Sequence, residues 1–461
     1  MSVTATSQSA PNYAVTVRRT RRWLQLLLWL MLLSGIVATL LGFFAAQDTL
    51  QRYRAIVDDS AFSADAAQSA REAVLAFHSN TATALADEGV DQAALPSSSD
   101  WHRYQEALRQ LWENRSDRTY GEYALFAATD EATLRYRAAV DGMTAFAANG
   151  EDERATAAFL TANTILVQAL LPPLNRIEQL KLESMEAAYN TTSAAIDRWQ
   201  RWLLITAGLL VLALVSAWLT TRFHMRYRWT WQLILATVAA ALLLLWFNSS
   251  LGKASDDVAL MVRGAYDTIS ITQSSSALLT QAQALQSMAL FAPESQEPFL
   301  SDADEYLFLV EQQLCGDRNC TDRPFLDSAG TVSRETKQIA REGQQTYGLP
   351  RAPLVDYADQ RRFPAQAATL DSLRQSVADM RRVQRALQGG DLAAAPQGRR
   401  AYAVAIDQAS ALTSEVRTLY DQLYDNATLM MGANRALTLL FIVLALLGAW
   451  GIQRRRTALA R

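Results

Sequence analysis

Four long uncharged stretches constrain this chain more than any other feature. They run over residues 23–47, 202–221, 229–251 and 436–453. A helix needs roughly 20 apolar residues to cross a hydrocarbon core of about 30 Å, so each stretch is expected to be a membrane span. The short segments beside them are all basic. Arg18, Arg19, Arg21 and Arg22 precede the first stretch, and Arg222, Arg226 and Arg228 lie between the second and third. Arg454, Arg455, Arg456 and Arg461 follow the last, and none of these flanks holds an Asp or Glu. Basic residues near spans stay on the cytoplasmic side, so both termini and the central link are expected there. The same arginines would lie against anionic lipid.

The expected order follows directly. A cytoplasmic N-terminus (1–22) leads into span 23–47, an outer bundle (48–200) and span 201–221. A cytoplasmic link (222–228) then leads into span 229–251, a second outer bundle (252–435), span 436–453 and a cytoplasmic tail (454–461). The fold class is an all-α membrane protein, with four transmembrane helices and two extracytoplasmic helical bundles arranged as a tandem repeat. The location is the plasma membrane, multi-pass. Nine of the eleven Trp lie in or beside the apolar stretches, as an interfacial belt requires. The first stretch is too long for a cleaved signal peptide, and Phe43 spoils the small-residue site before Ala45.

Charge separates the two sides. Setting aside the eleven cytoplasmic arginines leaves 32 basic residues outside against all 46 acids, a formal −14. That sign argues against nucleic acid or anionic headgroups as outer partners and suits cationic or zwitterionic ones weakly. The only cysteines, Cys315 and Cys320, fall in the second outer segment. An oxidising compartment permits a disulfide closing that small loop, with free thiols as the alternative. Two thiols with no neighbouring His do not make a closed zinc site.

Both outer segments are rich in Ala, Gln, Leu and Arg and lack sustained alternation, so both read as helical. Helices are expected near 48–88, 101–127, 130–149 and 152–200, then near 252–291, 297–315, 331–348, 366–388 and 397–434. Tyr136, Val140, Met143 and Ala147 form a core stripe. Leu373, Val377, Met380 and Leu387 repeat it, with Gln384 in the missing step, and Leu412, Val416, Leu419 and Leu423 continue it. Gly150 and Gly390 read as glycines just past helix ends, each followed by acid. Pro172 and Pro173 should bend or restart their helix, while Pro350, Pro353 and Pro364 interrupt the second segment.

No catalytic constellation stands out. The three His (His78, His102 and His224) are not at metal-ligand spacing, and no hydrolase, nucleotide or zinc-protease motif is present. The spans carry no charge of the kind that lines ion or substrate pathways. The chain is therefore expected not to be an enzyme, to need no cofactor or metal, and to hold its ligand at residues the sequence does not identify.

Paired spans flanking an outer helical bundle resemble the sensor half of chemoreceptors and membrane-bound histidine kinases, but here no output domain follows. The whole plan is similar to actinobacterial four-span membrane proteins encoded beside a glutamine/glutamate-binding lipoprotein and a soluble Ser/Thr kinase. The likeness rests on that plan and on local runs. These are Tyr53-Arg54-Ala55-Ile56, Thr119-Tyr120-Gly121-Glu122, Leu170-Leu171-Pro172, Arg362-Phe363-Pro364 and the closing helix from Tyr402 to Tyr424. The resemblance implies amino-acid-status signalling, with a solute-binding protein outside and a Ser/Thr kinase inside as partners. The expected function is thus a plasma-membrane signal-transduction component acting on a separate cytoplasmic partner. The alternative is a non-switching scaffold of an envelope complex. Homo-oligomerisation is left open.

Overall fold

The computed structural model describes residues 10–86, 99–113, 120–225, 231–292, 294, 296–315 and 364–458, and among these there is no strand. The first half supplies α1 (Ala10–Arg54), α2 (Phe62–Ala86), α3 (Ser99–Glu113), α4 (Tyr120–Ala148), α5 (Asp152–Ile165) and α6 (Leu171–Met225). The second supplies α7 (Trp231–Leu260), α8 (Asp267–Phe291), α9 (Gln296–Cys315), α10 (Pro364–Gln388), α11 (Ala395–Leu437) and α12 (Leu439–Ala458). Four of the helical runs are long and apolar enough to cross a membrane, and they carry the four stretches read from the sequence.

Most helix ends follow local chemistry. Gly150 and Gly390 have φ of 71° and 86°, a left-handed conformation that a Cβ disfavours. Each closes its helix with the same pair of bonds. The Glu151 N–H reaches Phe146 O and the Gly150 N–H reaches Ala147 O, both at 3.0 Å. The Asp391 N–H reaches Ala386 O and the Gly390 N–H reaches Leu387 O, also at 3.0 Å. Pro172 and Pro173 do not end their helix. Lacking N–H groups, they leave carbonyls one turn back unbonded, and the preceding turn, Leu166–Leu170, widens to a π-helix. The Leu171 N–H then bonds to Leu166 O, five residues earlier. Pro364 opens α10, a position where its missing N–H costs nothing.

One expected break is absent. The sequence divides helices at 127–130, but α4 runs unbroken from Tyr120, and the preceding helix stops at Glu113. No Gly or Pro lies between Gly121 and Gly142 to break it. The helix expected near 331–348, with Pro350 and Pro353, lies outside the described residues.

The described chain forms two compact units. The first comprises Met1–Ala55, Ala188–Ala259 and Leu423–Arg461 and contains the four apolar stretches. Its interior relies on small residues. A Cβ on Gly35 of α1 would overlap the Ala445 methyl of α12, and one on Gly448 would lie 2.6 Å from Leu214 Cδ2 of α6. Side chains pointing away from this packing are apolar, as Leu33, Leu212, Leu242, Leu245 and Leu446 show by their exposure. An exposed apolar band of this kind suits lipid rather than water. Polar groups inside pair with each other: Asn434 donates to Ser250 Oγ at 2.6 Å and accepts from the Trp246 indole at 3.1 Å.

The second unit comprises Ile56–Ala187 and Leu260–Gln422. Residues of both stretches read as separate outer bundles belong to it. At its centre α2 and α8 lie parallel. Gln68 meets Ser270, Arg71 meets Ser274 and Thr83 meets Ser287, at sequence separations of 202, 203 and 204. Near-constant separation means a parallel, in-register pair. Each of these helices is preceded by a π-helical turn, Ala55–Ala61 before α2 and Met261–Tyr266 before α8. Of the 25 residues of α8, 21 are buried, so it has no solvent face and shows no amphipathic stripe. The expected core stripes are largely buried, with Tyr136, Val140, Met143, Leu373, Val377, Met380, Leu387, Leu412 and Val416 inside. Gln384, the polar step in its stripe, is also fully buried. It donates to Leu300 O and accepts from Gln286, both at 2.6 Å.

Candidate functional site

Two polar features of the second unit flank the α2–α8 pair. The first is a buried ion pair. Arg71 of α2 donates to Glu178 Oε2 of α6 at 2.8 Å, with the two side chains only 4% and 3% exposed. The same guanidinium reaches Asn175 Oδ1 at 3.1 Å and Ser274 Oγ at 3.0 Å. Gln68 donates to Glu178 Oε1 at 2.7 Å and to Ser270 at 2.9 Å. Helical spacing explains the convergence: Gln68 and Arg71, Asn175 and Glu178, and Ser270 and Ser274 are each one turn apart on one face. Such a pair fixes which residues of three helices meet, because any slip would leave a buried charge alone.

The second feature is a cavity of ≈ 680 Å³ bounded by α2, α3, α8 and α11. Positions 69, 72, 73 and 76 of α2 face it at 3-1-3 spacing, one face over two turns. From α3 come His102, Arg103, Glu106, Ala107 and Gln110, of which the first three are exposed and form a rim. The α8 wall is neutral and polar, with Gln273, Ser276 and Thr280. The α11 wall carries Tyr402, Ile406, Ser410 and Thr413. The volume falls in the range of roughly 300–1,000 Å³ typical of small-molecule sites.

Glu72 stands apart within this cavity. Among the described residues it makes no hydrogen bond and no ion pair. Burial pushes its carboxyl up to about 7, against the pull of Arg71, Arg103 and Arg417 and with a further push from Asp65. The side chain is half-buried and has no donor to replace the water it loses, which favours the protonated form. The Gln273 amide oxygen, on the same cavity, is also buried without a partner.

His78 is a different case. It is buried, stacked on Phe159 with ring centroids 4.7 Å apart, and 3.1 Å from the Tyr136 hydroxyl. Burial lowers its imidazole to about 4, opposed in part by the nearby Asn163 side chain, so it is a neutral core residue over the ordinary pH range. His102 is exposed on the cavity rim.

The residues singled out from sequence lie elsewhere. Arg21 and Arg22 are exposed on α1, and Arg18 and Arg19 belong to the same helix. Arg222 is exposed with its guanidinium 5.3 Å from the Trp218 ring, and Arg454 lies 5.9 Å from Trp450. Arg455 and Arg456 belong to α12, while Arg226 and Arg228 lie outside the described residues. Cys315 ends α9, while Cys320, and with it the expected disulfide between the two, lies outside the described residues. Sequence reasoning missed Arg71, Glu72, Glu178 and Gln273. Neighbouring Arg71 and Glu72 on an Ala-rich helix look like an ordinary solvated charge pair, and nothing local distinguishes them.

No family model, curated protein or solved structure matches this chain.

Proposed function

We propose that this chain is a plasma-membrane signal-transduction component. It relays an extracytoplasmic signal, related to amino-acid status, to a separate cytoplasmic partner of the Ser/Thr kinase class. In this reading both termini and the 222–228 link are cytoplasmic, and the second unit is the extracytoplasmic sensor. It takes up a small ligand or docks a solute-binding protein. The halves are a tandem repeat, which the matching Gly150 and Gly390 helix ends and the paired π-helical turns support.

One observation carries the reading. The ≈ 680 Å³ cavity is walled by α2 and α3 from the first half and by α8 and α11 from the second. Anything bound there contacts helices that follow two different spans. It therefore favours one mutual arrangement of those helices over another, which is what a ligand must do to shift an equilibrium. The buried Arg71–Glu178 pair makes the alternatives discrete rather than continuous.

A break in α11 tests the relay. This helix is continuous from Ala395 to Leu437, and Gly432 has no neighbouring atom within 4 Å of where a Cβ would be. Four glycines inserted after Met431 break the helix and leave the four apolar stretches intact; because Met431 and Asn434 beside the joint are buried, membrane insertion and thermal unfolding are measured alongside the response. The expected result is loss of the growth or kinase-substrate response to an amino-acid shift. A normal response in cells carrying the insertion would move the assignment to the non-switching scaffold.

A further inference from the structure

The lining of the ≈ 680 Å³ cavity specifies the chemistry of what fits it. Its charged neighbours are already matched with one exception. On α2, Arg71 is held by Glu178 and Asp65 by Arg417 of α11. On α3, Arg103 is held by Asp100, and Glu106 accepts from Arg109 at 2.5 Å. His102 is exposed at the rim, and α8 presents only neutral groups. Glu72 alone has no counter-ion within ion-pair distance.

The neutral groups point the same way. The Ser276 hydroxyl donates its proton to Thr272 O at 3.1 Å, and Thr280 donates to Ser276 O at 2.8 Å while accepting from Tyr402 at 3.1 Å. Hydroxyls that donate backward to their own helix leave only acceptor lone pairs for a ligand. A carboxylate without a counter-ion and two α8 hydroxyls that present acceptor lone pairs thus share one cavity, with Ala73, Ala76, Ala107 and Ile406 as its aliphatic patch beside Ser69, Ser410 and Thr413.

We propose that this cavity is a binding site for a small aliphatic ammonium compound, whose N–H groups bond Glu72 and the α8 hydroxyls while its hydrocarbon lies against the alanines and Ile406. A carboxylate or phosphate ligand finds no unpaired cation inside. A metal ion is a poor fit, because hard cations require about six oxygens converging within roughly 2.0–2.6 Å, and one carboxylate in so large a space does not supply them. The proposal rests on reading the second unit as the sensor and names the ligand class of that same site.

The test is calorimetric titration of the full-length protein in nanodiscs with butylamine, 4-aminobutyrate and butyrate. Butylamine should bind, 4-aminobutyrate more weakly and butyrate not at all. Glu72→Gln should abolish butylamine binding. The carboxyl that titrates near pH 7 must be ionised to hold the cation. Lowering the pH from 8 to 5.5 leaves only a small ionised fraction of Glu72, so wild-type affinity should fall by about 30-fold. Ile406→Trp, which fills the cavity and leaves the carboxyl in place, should also remove binding. Equal binding of butyrate, or unchanged butylamine binding by Glu72→Gln, would overturn the assignment. The two readings fail separately. Glu72-dependent binding together with a normal cellular response in the α11 insertion keeps the site and removes the relay. Absent binding with a response lost on insertion does the reverse.

Discussion

At the residue scale, two carboxylates on neighbouring faces behave oppositely because of their partners. Glu178 is buried with Arg71, Gln68 and a serine around it, whereas Glu72 is half-buried with none. Removing Glu178 alone leaves the Arg71 guanidinium charged and unmatched. Glu178→Ala should therefore destabilise the fold by about 3–5 kcal/mol, and the double variant Arg71→Met/Glu178→Leu by much less, as measured by chemical denaturation in detergent. Equal losses in the two would show that packing, not charge, dominates the seam. For Glu72 the sign runs the other way. Its folded-state carboxyl titrates at about 7, above the ordinary 4.5. The folded protein therefore holds this proton more tightly than the unfolded chain, and the contribution is fully favourable below pH 4.5. It is lost as pH rises from there through 7. Glu72→Gln should raise the unfolding temperature at pH 8 and leave it unchanged at pH 4. A rise of the same size at both pH values would rule out an ionisation effect.

At the element scale, the helix termini are the part most readable in sequence. Gly150 and Gly390 end their helices where glycine followed by acid places the ends, since the left-handed conformation is a local backbone property. The 127–130 break did not form because only non-breaking residues occupy that stretch. The π-helical turn before Pro172 follows from missing N–H groups, but whether prolines bend, restart or widen a helix depends on what surrounds it. Contacts between helices were less accessible. Gly35 reads as an ordinary glycine in an apolar run, yet its missing side chain lets α1 meet Ala445 of α12. Gly35→Leu should separate these helices, whereas Gly208→Leu, with no atom within 4 Å of its Cβ position, should be tolerated. Disulfide crosslinking between single cysteines at Gly42 and Thr438, whose Cβ positions lie 3.4 Å apart, would report it, the yield falling in the first variant only. An unchanged yield in Gly35→Leu would show that this close approach does not hold α1 against α12.

At the scale of the whole molecule, the arginine asymmetry makes a prediction that contacts within the fold do not. Single cysteines near Ser97 and Gln397 should react with an impermeant maleimide in intact cells, and one near Thr457 should not. Labelling at Thr457 alone would reverse the orientation and place the amine site on the cytoplasmic side. The helical class, the four apolar stretches and most helix positions among the described residues are legible in the residues alone, because length, hydropathy and glycine or proline chemistry act over one or two turns. That α2 and α8, some two hundred residues apart, form one parallel pair follows from packing in three dimensions and not from either helix's own residues. Their Ser, Thr and Gln side chains have the composition of a solvated face, and burial alone turns them into a seam. The same holds for the cavity. An Arg and a Glu side by side on one helix look alike in a sequence. Here one points toward a buried partner and the other into open space, because adjacent helical residues are rotated about 100° from each other and meet different neighbours.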